Sequence, residues 1–470
     1  MRRIRTIFYL LLILSSLSCV AVTRLWPPEN GLPAVVTAVI TQVTLSAPQE
    51  PAKTQTPIET ATPTALPTTT PEPTATLTPT IIPTLSIPLT PSALQLEVFE
   101  DLWNVVQEDY LYKDFNGQDW DAVYRDYRSK VMAGLTEADF YAAMDEMIYL
   151  LGDDHSIYLS PEETEAGNAE FEGRYDYAGI GVLNQAVPER RLVTIILVFP
   201  GSPAEQAGLL PHDNILEVDG IPILDEDGSR TELLRGPAGS QVTLTVQRPG
   251  SELRQVELTR AIISSSLPVP YEVITSPSGK RIGYILLASF NDVTINDQFA
   301  NALRIMTEDQ PLDGIIIDNR QNGGGADVVM ANVLANFTSG SVGYFVNRDE
   351  QRPLKIIGRN INGSQELPLV VLVGKDTISF GEIFSGILQD IGRAYLIGEA
   401  TEGNVEILWV YEFSDGSSAW IAHDTFKPLN NQDADWEVDG IIPDEIVSVN
   451  WDEVILQTDP AVQAALDYFE

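Results

Sequence analysis

The chain has 470 residues, 67 acidic against 28 basic side chains for a formal charge of −39, 44% apolar residues and one cysteine. That length and apolar content suffice for two or three domains with ordinary cores. The acidity argues against nucleic acid as a partner and against attachment to an anionic membrane through basic patches, and a single cysteine excludes an intrachain disulfide.

Arg2, Arg3 and Arg5 precede an apolar run from Ile7 to Leu14 and small residues up to Cys19. This layout predicts an export signal over residues 1–22. Cys19 stands where a lipoprotein signal is cleaved and acylated, although Ser16 replaces the aliphatic residue expected at the start of such a box. Plain cleavage and an uncleaved anchor are the alternatives; the apolar run is shorter than the roughly 20 residues that span a bilayer. Residues 23–91, with TPTALPTTTPEPTATLTPT at their centre, have no periodic apolar face and read as an extended tether. The expected location is the outer face of the cell membrane, lipid-anchored or signal-anchored, or secreted.

Residues 92–165 read as a helical domain. Leu96, Phe99, Leu102, Trp103 and Val106 form one apolar stripe, and Phe140, Met144, Met147, Ile148 and Leu151 another. It closes on LLGDDHSIYLSP, where Gly152 stops the helix and Asp153, Asp154, His155 and Ser156 make a polar turn. Only three histidines occur in the chain, and His155 is either solvated or functional there. Residues 170–264 alternate short β-rich runs with Gly and Pro and predict a compact β domain. Residues 265–470 alternate strands with helices, an α/β order in which loops after strands build a site.

Within that last part, Leu369–Val373 reads as a buried parallel strand, and Ile383, Phe384, Ile387, Leu388 and Ile391 as the stripe of a following helix. Ser379 falls at the handover, where backbone N–H groups converge and the helix dipole favours negative charge. The position suits a serine nucleophile. It equally suits a capping box in which Ser379 or Thr377 pairs with Glu382. Asn322 to Gly325 forms a glycine turn after the strand Gly314–Asp318, able to expose N–H donors for an oxyanion.

Three stretches of the β domain, GSPAEQAGL, DNILEVDG and LRGPAGSQVTLTV, resemble a PDZ domain of the bacterial peptidase type. Such domains take up a peptide as an added strand and receive its C-terminal carboxylate on backbone N–H groups. The receiving loop implied is Ala178, Gly179, Ile180, Gly181 and Val182. His212 departs from the pattern, standing where glycine is usual. DNRQNGGG together with TISFGEIFSGILQDIGRAYLIGEATEG resembles the core of the C-terminal processing peptidases, the tail-specific serine proteases. The resemblance covers roughly residues 95 to 450. It implies an α/β multidomain protein with an N-terminal helical lid, a PDZ-like β domain and an α/β serine-peptidase core.

The resemblance places the nucleophile on Ser379, the oxyanion donors on Gly324 and the N–H of Phe380, and supporting polar residues on Arg320, Glu382 and Asp390. The family's lysine base is missing: Asn404 occupies its place, and Leu408 replaces a glutamine four residues on. A serine hydroxyl without a base is barely nucleophilic at neutral pH. At this point the chain is more similar to the tricorn protease branch. That resemblance implies His155 as base, Glu437 of DWEVDGIIPDEI to complete the set, and Asp154 as a helper, with either acid orienting the ring. Lys375 should point away from the site, and His423 is a rival base. The function implied is an exported endopeptidase that recognises exposed C-terminal tails of proteins. The alternatives are an inactive PDZ-bearing scaffold and a hydrolase of another ester or amide. No metal or nucleotide cofactor is expected, since cysteine clusters are absent, the histidines are far apart in sequence and no phosphate-binding glycine motif precedes a lysine.

Overall fold

The computed structural model describes residues 90–153, 155–225 and 228–470. The expected export signal, Cys19, nearly all of the tether and Asp154 lie outside the described residues. Among the described residues no helix is long and apolar enough to cross a membrane.

The N-terminal region is helical because its apolar stripes recur every three or four residues and its helix starts are capped. Ser92, Asp119 and Thr136 accept the first-turn N–H groups of helices Ala93–Asp109, Trp120–Met132 and Glu137–Tyr149. The first and third of these carry the two expected stripes. The middle one buries Trp120, Val123, Tyr127 and Val131, the same periodicity with fewer aliphatic residues. These helices share a core with Leu408 and Ala419 to Ala422 of the C-terminal half. Strand Ile157–Leu159, directly after His155, pairs antiparallel with the long strand Ser418–Pro428. The histidine turn is therefore fastened to the α/β part by a strand pair rather than left in solvent.

The β domain is an antiparallel sheet in the order Arg254–Thr259, Gln241–Gln247, Asn214–Val218, Leu192–Val198, Val182–Val187. Val182–Val187 lies at its edge, the place where a further strand adds. The expected receiving loop is narrower than the sequence suggests. Ala178 and Gly179 end a strand that pairs with Ala261–Ser265, so Ile180 and Gly181 alone form the turn. A Cβ on Gly181, at φ +83°, would stand 2.2 Å from the Cβ of Ser202, so only glycine fits there.

His212 leaves the sheet intact despite its left-handed φ of 72°. Its ring stacks on Trp451 at 3.8 Å, and its Nδ1 lies 2.9 Å from the Trp451 carbonyl oxygen. Asn214 donates to the neighbouring Asp452 carbonyl at 2.8 Å. The residue that departs from the pattern thus docks the β domain on the C-terminal segment.

The α/β part has a six-stranded sheet in the order Tyr271–Thr275, Arg281–Leu286, Gly314–Asp318, Leu369–Val373, Tyr395–Gly398, Glu445–Ile446. All neighbours but the first pair run parallel. Every residue of Leu369–Val373 is buried, as the unbroken aliphatic run requires of a strand covered on both faces. Ser379 stands at the carboxyl end of this inner strand, where doubly wound sheets place their sites.

Candidate active site

Ser379 is 2% exposed and holds φ 56°, ψ −124°, a conformation that costs a non-glycine residue energy and persists only where its surroundings enforce it. Several contacts enforce it. The N–H of Ile378 donates to the Asn322 carbonyl at 2.9 Å. The Ser379 N–H donates to Glu382 Oε2 at 3.0 Å, the returning arm of the anticipated capping box. The Thr377 hydroxyl instead bonds Gly374 N–H and the Asn319 carbonyl, so Thr377 shapes the turn and does not cap the helix. A strained serine at a sharp strand-to-helix turn is the form of a nucleophile elbow.

Gly324 lies against this serine. A Cβ there would stand 2.8 Å from Ser379 Cβ and 3.2 Å from its Oγ. Its N–H, however, donates to Asn322 Oδ1 at 2.9 Å. The amide is thus engaged within its own turn, and Phe380 N–H, at the helix start, is the other amide of the expected pair.

His155 is held from two sides. Asp153 Oδ1 accepts its backbone N–H at 3.0 Å and that of Ser156 at 2.8 Å. The imidazole Nε2 lies 3.1 Å from Glu437 Oε1 and 3.7 Å from Glu406 Oε2. The other Glu437 oxygen accepts the N–H of Val405 at 2.6 Å and of Glu406 at 3.2 Å. Two residues earlier in the same loop, Gly403 donates to Glu382 Oε1 at 3.0 Å. The loop Gly403–Glu406 therefore grips the glutamate that holds Ser379 and the glutamate that holds His155. Asn404, at the missing lysine's place, sits between these grips.

This crowding of carboxylates moves several pKa values. Burial lowers that of His155, but the hydrogen bond to Glu437 and the charges of Glu406 and Glu437 prevail and raise it to about 9. Burial lifts Glu406 to about 7 against the opposing charge of His155, and lifts Glu382 to about 7 with help from the charge of Glu437. Glu437 is also buried, yet the His155 hydrogen bond and charge and two backbone amides hold it below the usual carboxylate range.

The charges of the other expected supporting residues are engaged by structural partners. Arg320 makes a buried bidentate pair with Asp318 and bonds Asp459 at 2.7 Å; it fastens the C-terminal helix Pro460–Tyr468. Asp390 accepts the N–H groups of Asn430 and Asn431 at the far end of its helix. Neither contacts the serine turn through these bonds, because both are taken up by structural partners. His423 stacks on Trp409 at 3.8 Å and lies 3.2 Å from Asp424. Lys375 is exposed.

Sequence reasoning missed Glu406 and Tyr112, whose hydroxyl bonds Glu406 Oε1. A signal existed only for Glu406: a lone acid inside the apolar run Val405 to Val410 has to be buried with a purpose or a partner.

Residues 281–447 match the model of peptidase family S41, residues 194–248 a PDZ domain and residues 91–149 the tricorn protease C1 domain. The chain is 35% identical over 393 residues to a carboxyl-terminal-processing protease of Synechocystis sp., covering 80% of this chain and 88% of the relative. It belongs to the carboxyl-terminal-processing proteases of peptidase family S41. A second relative of that name, from Picosynechococcus sp., is 32% identical over 378 residues, 78% of this chain and 87% of its own. Among solved structures, a photosystem II D1 C-terminal processing protease superposes with a TM-score of 0.53 at 28% identity, covering 76% of this chain and 93% of that one. This family member is thus a serine-type peptidase with a helical N-terminal region, a PDZ domain and an α/β protease core.

Proposed function

We propose that this S41 peptidase binds the unstructured C-terminal tails of protein substrates along the PDZ edge strand Val182–Val187. It cuts them with Ser379 as nucleophile, His155 as general base and Glu437 as the acid that orients the imidazole. The observation that carries this reading is the bond from His155 Nε2 to Glu437. It leaves Nδ1 as the ring nitrogen able to accept the serine proton, and a carboxylate fixing the tautomer is what a serine–histidine pair requires. The imidazolium then returns its proton to the leaving amine. The oxyanion of the tetrahedral intermediate falls to Phe380 N–H and to Gly324 N–H, the latter once Asn322 releases it. Glu382 positions the serine backbone, and no lysine is required at Asn404.

A tail added along that edge strand is the form of substrate the PDZ domain suits. Export, with anchoring at Cys19 or secretion, belongs to the same proposal and rests on Arg2, Arg3, Arg5 and the apolar run after them.

The test uses peptides ending in an apolar residue, bound to the Ser379→Ala protein and cleaved by wild type. Amidating the terminal carboxylate should weaken binding by roughly 10- to 100-fold, the loss of charge-assisted hydrogen bonds. Equal binding and equal cleavage of both forms would refute tail recognition.

A further inference from the structure

The histidine and glutamates gathered around the loop Gly403–Glu406 hold more ligand atoms than a catalytic pair needs. His155 Nε2, Glu437 and Glu406 each offer one atom, and these lie within 4.8 Å of one another. The distances from Nε2, 3.1 Å to Glu437 Oε1 and 3.7 Å to Glu406 Oε2, bracket the edge of about 3.4 Å that a tetrahedral ion has when bound at ~2.0–2.2 Å.

The outer partners point the same way. Val405 and Glu406 N–H groups hold one oxygen of Glu437 and leave Oε1 for the trio. The Tyr112 hydroxyl holds one oxygen of Glu406 and leaves Oε2. Such outer donors orient ligands in metal centres. Glu406 Oε2 belongs to a residue that is 3% exposed, and among the described residues it accepts no hydrogen bond. A buried carboxylate oxygen that faces an imidazole and a second carboxylate, and accepts no hydrogen bond among the described residues, has coordination to spare for a cation.

We propose that His155 Nε2, Glu437 Oε1 and Glu406 Oε2 form a three-ligand site for a divalent ion of zinc's type, and that its occupation switches the peptidase off. One imidazole with two carboxylates suits zinc and cobalt, whereas magnesium and calcium favour all-oxygen shells. The switching part rests on His155 being the base. In the metal-free protein, the ring in its deprotonated, acting form donates Nε2–H to Glu437 and keeps the Nδ1 lone pair for the serine proton. When the ion takes the Nε2 lone pair, the ring proton resides on Nδ1, and no lone pair remains to accept the serine proton. No bond to substrate is made or broken; the base is withdrawn.

The test uses Co2+ as a spectroscopic probe on the full chain carrying Ser379→Ala, and Zn2+ inhibition of wild type. One equivalent of Co2+ should bind with the intense visible absorption of a tetrahedral site, and Zn2+ should displace it. Glu406→Gln should weaken that binding by roughly 10- to 100-fold, while Glu402→Gln, an exposed acid of the same loop, should leave it unchanged. Zn2+ should inhibit wild type reversibly, with a chelator restoring activity. Absence of stoichiometric Co2+ binding overturns the proposal, as does equal weakening by Glu402→Gln. If Glu406→Gln does not fold, the Co2+ spectrum of the Ser379→Ala protein decides alone: only the pale octahedral form contradicts the site. Tight binding without inhibition would uphold the metal site and count against His155 as base.

Discussion

Replacing His155 with alanine is expected to lower kcat/KM for tail peptides by roughly ten-thousand-fold or more, because a serine and its base act as one unit. The same substitution at His423 should change the rate only modestly, since that ring is engaged by Trp409 and Asp424. The pH profile gives a second reading of the same residue. A general base acts in its deprotonated form, so activity should rise as pH rises through the pKa of the base. An unperturbed imidazole would put that rise near ~6.5. The hydrogen bond to Glu437 and the charges of Glu406 and Glu437 outweigh burial and move it to about 9. Glu437→Gln removes one of those charges, and its limb should shift towards lower pH as kcat falls. A wild-type rise that stays near the ordinary imidazole value, unmoved by Glu437→Gln, would show that His155 is not the titrating base.

Gly324→Ala should cost at least roughly 100-fold in kcat/KM, the scale on which a misplaced oxyanion donor is felt. Two effects combine. At φ +91° an L residue is strained whatever the space, and the new methyl would come within 2.8 Å of Ser379 Cβ and 3.1 Å of the Ile378 carbonyl oxygen. The turn has little room to give, since Gly325 alongside meets the backbone of Phe290 and Asn291 and Gly381 meets the Asn322 carbonyl. The expected signature is a collapse in kcat larger than the change in KM, with the melting temperature lowered by a few degrees for the strain. Wild-type kcat in a folded Gly324→Ala protein would mean that the Asn322–Gly325 turn takes no part in catalysis.

Much of this architecture is written in local pattern. The aliphatic run Leu369–Val373 reads as an inner strand and the stripe from Ile383 to Leu388 as a helix, which puts Ser379 at their junction. The same signals located the helices around Phe99 and Phe140. What periodicity does not carry is contact between distant segments. His155 and Glu437 are 282 residues apart in sequence, and nothing local to either says that they touch; the family likeness put both in one set and left open whether Glu437 or Asp154 orients the ring. Glu406 escaped because its role arises from Tyr112 and His155, both brought in from the helical region. Arg320 and Asp390 were assigned to the site from motif position, yet their charges face Asp318, Asp459 and the amides of Asn430 and Asn431. His212 had the opposite fate: a deviation that looked minor in sequence is a principal contact between the PDZ domain and the core, through Trp451 far along the chain.

The claim that Ser379 is a nucleophile activated by His155 is tested most directly by the rate at which a fluorophosphonate labels the purified protein, with the modified peptide identified by mass. A single adduct on Ser379 is predicted, forming faster as pH rises towards about 9 and at least roughly a thousand-fold more slowly in His155→Gln. Labelling of Ser379 at the same rate in His155→Gln, or no adduct on Ser379 at any pH in the folded wild type, would contradict it.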